Sequence, residues 1–248
     1  MTEQACTVDN SKLTDKCLDK KVYLITGASG GLGRATALSL AKYGGSVILS
    51  GRNTEKLEQL YDQIEDAEYP QAAIFPFDLL ETNEDKYKSL SKSISNEFNQ
   101  LDGVIYAACE LGYVAPIKDQ DTDMWLKVQQ VNLHAPFMLS KACLPLMLQS
   151  DSASCLFISD SSARSNKAYW GSYGVSKTAL ENFSARMADE LESTSICCNV
   201  FVPGPSLLPI RKKTHPAEQE AELKTADELA RAITGILLQR ETGKTYQL

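Results

Sequence analysis

Short apolar runs alternate with stretches of helical periodicity along most of the chain. The runs predict strands at residues 22–25, 46–50, 72–79, 102–108, 154–159 and 195–202, with a seventh strand in the last residues. Between the runs, apolar side chains recur at helical spacing, as at Leu57, Leu60 and Ile64. Strands that alternate with helices are typical of an α/β protein. We therefore expect a doubly wound, mostly parallel, seven-stranded sheet in a single domain, with helices on both faces.

The polar segment at residues 1–20 lacks the apolar core of a signal peptide. We expect it to be a flexible N-terminal arm in front of one domain that spans residues 21–248. A chain of 248 residues, 43% of them apolar, is long enough to bury one large core. No apolar run reaches the roughly 20 residues that a membrane helix needs.

Composition narrows the possible functions. A net charge of −7 argues against nucleic-acid binding. The seven cysteines are scattered without a Cys-x-x-Cys pair. This pattern argues against a disulfide framework and against a zinc site, and it favours a reducing, cytoplasmic setting.

Residues 22–41 combine a predicted strand, a glycine-rich turn and a helix. Gly27, Gly31 and Gly33 have no Cβ, so the backbone can turn tightly and a ligand can approach it closely. The helix that follows directs its first N–H groups and the positive end of its dipole to the same place. The stretch predicts a site for a nucleotide diphosphate in a Rossmann-type domain.

Two motifs together carry a resemblance to a known family. The motif TGxxxGxG begins at Thr26, and the motif YxxxK begins at Tyr173. With both motifs, the chain resembles the short-chain dehydrogenase/reductase family from residue 21 to its C-terminus. Within that family, the stretches GRNTEKLEQL, WLKVQQVNLHAPFML and YWGSYGVSK are similar to those of bacterial YciK-type oxidoreductases.

The resemblance implies a nicotinamide cofactor. Family members that prefer NAD carry an acidic residue after the second strand, where this chain has Ser50-Gly51-Arg52. Since an arginine can pair with a 2′-phosphate, we expect NADP rather than NAD. The residues implied to bind the cofactor are Gly27, Ser29, Gly31, Leu32, Gly33, Arg52, Asp78, Leu79, Ala107, Ala108, Tyr173, Lys177, Pro203 and Gly204.

The resemblance also implies hydride transfer between a carbonyl and an alcohol. Tyr173 corresponds to the family's proton donor, and Lys177 corresponds to the lysine that holds the nicotinamide ribose. Their spacing of four places both on one helix face, where an ammonium would lower the pKa of the phenol. Asn132 corresponds to an asparagine that anchors a water in a proton relay toward the lysine.

Asp160 stands where the family has a serine that donates a hydrogen bond to the substrate carbonyl. An ionised carboxylate has no proton to donate, and at about 4 Å it would oppose a phenolate by roughly 4 kcal/mol at an effective dielectric near 20. Three alternatives remain open. Either the site holds Asp160 protonated, or Ser159 or Ser161 takes over the role of the family's serine, or carbonyl reduction is weak or absent. The last alternative would make the chain a non-catalytic NADP-binding sensor or scaffold.

Two further positions depart from the family's pattern. Ala107-Ala108-Cys109 replaces Asn-Ala-Gly after the fourth predicted strand, which removes a tie between strands and adds bulk beside the cofactor. After Pro203-Gly204 the family's threonine is not evident, and Ser206 is the nearest substitute.

The expected partner is a small-molecule substrate. The loop after Gly204 covers the substrate side in this fold and contains Arg211-Lys212-Lys213. Such a cluster either attracts an anionic substrate or forms a solvated turn. Because the chain ends directly after the last predicted strand, we expect a homo-oligomer that is a dimer rather than a tetramer.

Overall fold

The computed structural model of the protein describes residues 6–162 and 164–248 in full, and residue 163 only as part of a helix. The strands are β1 (Cys6–Thr7), β2 (Val22–Thr26), β3 (Ser46–Ser50), β4 (Ala72–Ile74), β5 (Gly103–Tyr106), β6 (Ala153–Ile158), β7 (Ile196–Val202) and β8 (Thr245–Gln247). The helices are α1 (Gly31–Lys42), α2 (Thr54–Asp66), α3 (Glu84–Phe98), α4 (Thr122–Gln129), α5 (Ala135–Met147), α6 (Ser162–Ser165), α7 (Gly171–Glu190), α8 (Pro209–Thr214) and α9 (Ala226–Leu237). Short 3₁₀ segments cover Ile117–Asp119 and Glu220–Glu222, and a π-helical turn covers Gln130–His134.

One parallel sheet of eight strands forms within the described residues, in the order β1-β8-β7-β6-β5-β2-β3-β4. The central strands β2 and β7 are buried along their whole length, as expected where helices cover both faces of a parallel sheet. Side chains of α1, α2 and α9 pack in the core of one face. Side chains of α3, α5 and α7 pack in the core of the other face. The predicted doubly wound fold is confirmed.

The strand order reverses at β2, which lies between β3 and β5. The chain first builds outward through β3 and β4, and then returns to place β5 on the other side of β2. The connections that leave β2 and β5 therefore diverge at their carboxyl ends and leave a crevice there. The glycine-rich turn begins directly at this point, since β2 ends at Thr26.

The arm expected over residues 1–20 is packed against the domain from Cys6 onward. Cys6 pairs with Tyr246 in the parallel ladder between β1 and β8, and the Leu18 side chain is buried. Leu18 N also donates to Tyr43 O at 3.0 Å. This strand raises the expected seven strands to eight, and the first five residues of the predicted arm lie outside the described residues.

Two predicted elements are shorter or more broken than expected. The strand predicted over 72–79 ends at Ile74, before Pro76, which has no N–H for a ladder. The helical region predicted from Thr122 to Leu148 contains the π-helical turn at Gln130–His134. In the part of the chain that the structure describes, helices long and apolar enough to cross a membrane are absent.

Candidate active site

A cavity of about 700 Å³ lies at the carboxyl ends of the central strands. Its lining includes every residue predicted to bind the cofactor, together with Asp160: Gly27, Ser29, Gly31, Leu32, Gly33, Arg52, Asp78, Leu79, Ala107, Ala108, Tyr173, Lys177, Pro203 and Gly204. Asn132 does not line it, although its neighbour Val131 does. The fold thus brings the glycine-rich turn and the Tyr-Lys pair to one continuous cavity.

The glycine-rich turn has no room for side chains at two positions. Gly27 has a φ of +68°, and a Cβ there would lie 2.7 Å from Ala108 Cα. A Cβ on Gly33 would collide with the carbonyl oxygen of Gly27. Helix α1 begins at Gly31 after the N-cap Gly30, which supplies no side-chain hydrogen bond. The first N–H groups of α1 are therefore available to an anion in the cavity.

Thr26 makes hydrogen bonds between strands of the kind that Ala107, which stands in place of the family's asparagine, cannot make. Its Oγ1 donates to Ile105 O at 3.3 Å and accepts from Ala108 N at 3.3 Å. β2 is thereby joined to the segment that follows β5. Thr26 belongs to the TGxxxGxG motif, but the motif does not predict its hydrogen bonds, because these depend on which strand lies beside β2.

Two charged residues lie at the adenosine end of the predicted site. Arg52 is exposed at the rim of the cavity, and it forms no hydrogen bond or ion pair with the residues that the structure describes. Asp78 Oδ1 accepts from Leu80 N at 3.0 Å, so this carboxylate also caps a turn. Arg34, in the first turn of α1, donates to Gln63 Oε1 on α2.

Tyr173 and Lys177 lie on α7 and are both buried. Lys177 Nζ donates to Ile158 O at 2.7 Å and lies 5.7 Å from the centre of the Tyr173 ring. Burial raises the pKa of Tyr173 well above its ordinary value, and the neighbouring Cys109 and Asp160 raise it further. The expected lowering of this pKa by the ammonium is therefore outweighed by desolvation and by nearby negative charge.

Asp160 follows β6, and its Oδ1 accepts from Ser162 N at 2.8 Å. Neither neighbouring serine presents a free hydroxyl to the Tyr173 end of the cavity. Ser159 Oγ donates to Glu181 Oε1 at 2.6 Å, and Ser161 is exposed beside a second cavity of about 240 Å³. Of the three positions, the carboxylate of Asp160 is the group that acts on Tyr173.

Cys109 is open to solvent inside the cavity, yet the surrounding protein desolvates its thiol. This desolvation raises the pKa of Cys109. Lys177 partly opposes the shift, whereas Asp160 and Glu110 add to it. The thiol is thus neutral and lines the cavity near Tyr173.

Asn132 lies in the π-helical turn and is buried outside the cavity wall. Its Oδ1 accepts from Glu110 N at 2.7 Å, and its Nδ2 donates to Glu110 O and to Ser176 Oγ, both at 2.9 Å. Both amide protons are therefore used within the protein. A water held by this residue would have to bind its backbone carbonyl or the remaining lone pair of Oδ1.

The basic cluster in the loop after β7 is largely neutralised by the loop itself. Arg211 makes two contacts of 2.6 Å with the carboxylate of Glu218, and Lys212 lies 2.6 Å from Glu220 Oε1. Helix α8 also covers the glycine-rich turn, since a Cβ on Gly31 would lie 3.1 Å from Pro209 Cδ. These ion pairs, which need acidic residues seven and eight positions further on, were missed in the sequence.

Comparison with known proteins gives consistent matches along the chain. A family model described as short chain dehydrogenase matches residues 21–219. The uncharacterized oxidoreductase YciK of Escherichia coli K12 is 37% identical over 232 residues, which are 92% of each chain. The structure of a short chain dehydrogenase from Shigella flexneri 2a complexed with NADP is 37% identical, has a TM-score of 0.89, and covers 94% of this chain and 99% of its own. A short chain dehydrogenase from Escherichia coli CFT073 complexed with NADPH is also 37% identical, with a TM-score of 0.89 and coverage of 93% and 97%.

Proposed function

The chain belongs to the short-chain dehydrogenase/reductase family, and we propose that it is an NADP(H)-dependent oxidoreductase that interconverts a carbonyl and an alcohol. The observation that supports this most is the single cavity that joins the glycine-rich turn at Gly27 to Tyr173 and Lys177. Fold and family alone would not specify a reaction, because one fold hosts many functions. A cavity with a glycine-rich turn suited to a diphosphate at one end and a tyrosine suited to donate a proton at the other favours this one.

The residues of the cavity suit NADP. The glycine-rich turn offers backbone N–H groups where side chains would collide, which fits a diphosphate. Arg52 lies at the rim with no ion-pair partner in the part of the chain that the structure describes, and it would bind the 2′-phosphate through a charge-assisted contact. Two similar structures contain NADP and NADPH, which supports the same choice. When bound, the reduced cofactor supplies a hydride to the substrate carbon.

The chain's own residues would then manage the proton and the alignment. The Tyr173 hydroxyl donates a proton to the substrate oxygen as that oxygen gains negative charge. Lys177, fixed by Ile158 O, holds the nicotinamide ribose and places a positive charge near the phenol. Asn132 positions the segment after β5 against α7 through Glu110 and Ser176.

A second candidate function is an NADP-binding protein with weak or no turnover. Asp160 and the raised pKa of Tyr173 favour it, because both oppose the phenolate that carbonyl reduction leaves behind. A small carbonyl panel distinguishes the two candidates when NADPH oxidation is followed with wild type, Tyr173→Phe and Tyr43→Phe. Tyr43 does not line the cavity, so Tyr43→Phe is the matched control.

The reductase proposal requires turnover by wild type and by the control, with a loss of about 10²–10⁴-fold in Tyr173→Phe. Full turnover in Tyr173→Phe would contradict the proposed chemistry. Binding of NADPH without turnover of any carbonyl would favour the second candidate.

We also propose a cytoplasmic homodimer formed through the long helices. Phe137 on α5 and Val175 on α7 are apolar and half exposed, and a subunit packed on these two helices would cover them. Light scattering after size exclusion would give a dimer mass, which Phe137→Glu should convert to that of a monomer. A wild-type monomer would contradict this part of the proposal.

A further inference from the structure

Asp160 disfavours the negative charge that forms when a carbonyl is reduced with a proton from Tyr173. Reduction of a carbonyl puts negative charge on the oxygen and takes the proton from the Tyr173 hydroxyl. Asp160 lines the same cavity and repels both that oxygen and the phenolate that remains. Burial of Tyr173 opposes the phenolate as well.

The charge of Asp160 faces the cavity without a direct ion-pair partner among the described residues. Ser162 N holds one carboxylate oxygen at 2.8 Å, which fixes the group at the end of β6. Arg211 and Lys177 line the same cavity as cations, and Arg211 acts on Asp160 electrostatically, but the hydrogen bonds of both go to other groups. Arg211 is paired with Glu218 and Lys177 donates to Ile158 O. Glu110, on the segment after β5, is paired with Lys127.

We infer that this cavity binds protonated imines beside Asp160 and reduces them to amines in preference to the matching ketones. The inference rests on the proposed reductase function and specifies the substrate class of the same site. A carboxylate attracts a cationic C=N group for the same reason that it repels a forming alkoxide. Asp160 is thus the residue that determines which kind of double bond is reduced.

The reaction balances without a phenolate. The carbon of the C=N⁺ group accepts a hydride from NADPH, which leaves as NADP⁺. The two π electrons of the C=N bond become the lone pair of the nitrogen, and the positive charge of the substrate disappears. Because the nitrogen already carries its proton, Tyr173 remains a neutral phenol during the hydride step. The free amine takes up a proton from solvent after release.

The test compares 2-methyl-1-pyrroline with cyclopentanone as substrates for NADPH oxidation. Wild type should have a kcat/KM at least ten times higher for the imine. Asp160→Asn, which keeps the shape and removes the charge, should lower the imine value at least tenfold. Asp160→Ser should raise the ketone value. Asp189→Asn, on the exposed end of α7, is the charge-matched control and should behave like wild type.

A binding measurement makes the test independent of turnover. In calorimetry with NADP⁺ present, 2-methylpyrrolidine, a cation at neutral pH, should bind wild type at least ten times more tightly than cyclopentanol. Asp160→Asn should remove this difference, and NADPH titration would show that the variant is folded.

Three outcomes would overturn the inference. Ketone preference in wild type, or an unchanged imine rate in Asp160→Asn, would do so while leaving the reductase proposal intact. Turnover of neither substrate by wild type or Asp160→Ser, with NADPH bound, would overturn both.

Discussion

Asn132 and Glu110 hold each other by a two-way contact between a side chain and a backbone. The Asn132 amide accepts from Glu110 N at 2.7 Å and donates to Glu110 O at 2.9 Å. Its second amide proton goes to Ser176 Oγ on α7. The segment after β5, which forms part of the cavity wall, is therefore fixed to the helix that carries Tyr173 and Lys177.

Asn132→Ala should destabilise the fold and loosen the site together. The change leaves the N–H and C=O of Glu110 without these partners and removes the bond that Ser176 Oγ accepts, although Ser176 Oγ still donates to Tyr173 O. We expect a loss of about 2–4 kcal/mol in the free energy of unfolding. Urea unfolding measures it. Asn182→Ala is the matched control, because Asn182 Oδ1 accepts from Arg186 Nε on an exposed surface. Equal losses of unfolding free energy in the two variants would show that the buried contact stabilises the fold no more than the exposed one does.

Gly33→Ala should damage the phosphate end of the cavity. Its Cβ would collide with Gly27 O, and relief of the collision should cost about 1–3 kcal/mol of stability. The shift of the turn should also weaken NADPH binding by at least about tenfold, measured by fluorescence titration. Gly174→Ala is the control, since its Cβ would make ordinary contacts of 3.4 Å and 3.7 Å and Gly174 does not line the cavity. Normal NADPH affinity in Gly33→Ala would place the diphosphate elsewhere.

Arg52→Gln should lower the affinity for NADPH and leave the affinity for NADH unchanged. A charge-assisted contact is worth about 1.5–3 kcal/mol, so NADPH affinity should fall by about tenfold to a hundredfold while NADH affinity stays the same. Arg231→Gln, which removes an exposed arginine on α9, should change neither affinity. A parallel loss for NADH and NADPH would mean that Arg52 does not contact the 2′-phosphate.

Glu218 should make the loop after β7 sensitive to acid. Its hydrogen bonds with Arg211 hold its pKa below the usual range. The ion pair therefore stabilises fully above the ordinary glutamate pKa of about 4.3, and this stabilisation disappears as pH falls through the lower folded value. Hydrogen exchange over residues 205–224, corrected for intrinsic rates, should show more opening at about pH 3 than at about pH 6.

Glu218→Gln should open the same loop already at neutral pH and remove most of its acid response. Glu220→Gln is the control, because its partner Lys212 is 63% exposed and such pairs contribute little. An acid response that persists in Glu218→Gln would assign it to another group.

The parts that sequence alone predicted are those that local pattern determines. The strand, turn and helix around Gly27 follow from neighbouring residues, and the spacing of Tyr173 and Lys177 follows from one helical turn. Their meeting in one cavity required only the rule that parallel strands end at the same edge of the sheet.

The parts that sequence did not predict depend on distant partners. Nothing near Cys6 signals its pairing with Tyr246, and nothing near Thr26 signals its bond with Ala108 N. The pKa of Tyr173 illustrates the same limit. The spacing to Lys177 is local, whereas burial and the approach of Asp160 arise only when α7 packs against β6.

The two-residue strand β1 covers the outer edge of β8. A strand edge with open N–H and C=O groups is a template for strands of other molecules, and a very short covering strand is one way to block it. Preparations trimmed by a protease ahead of Val8 would therefore lose this covering strand and aggregate during storage.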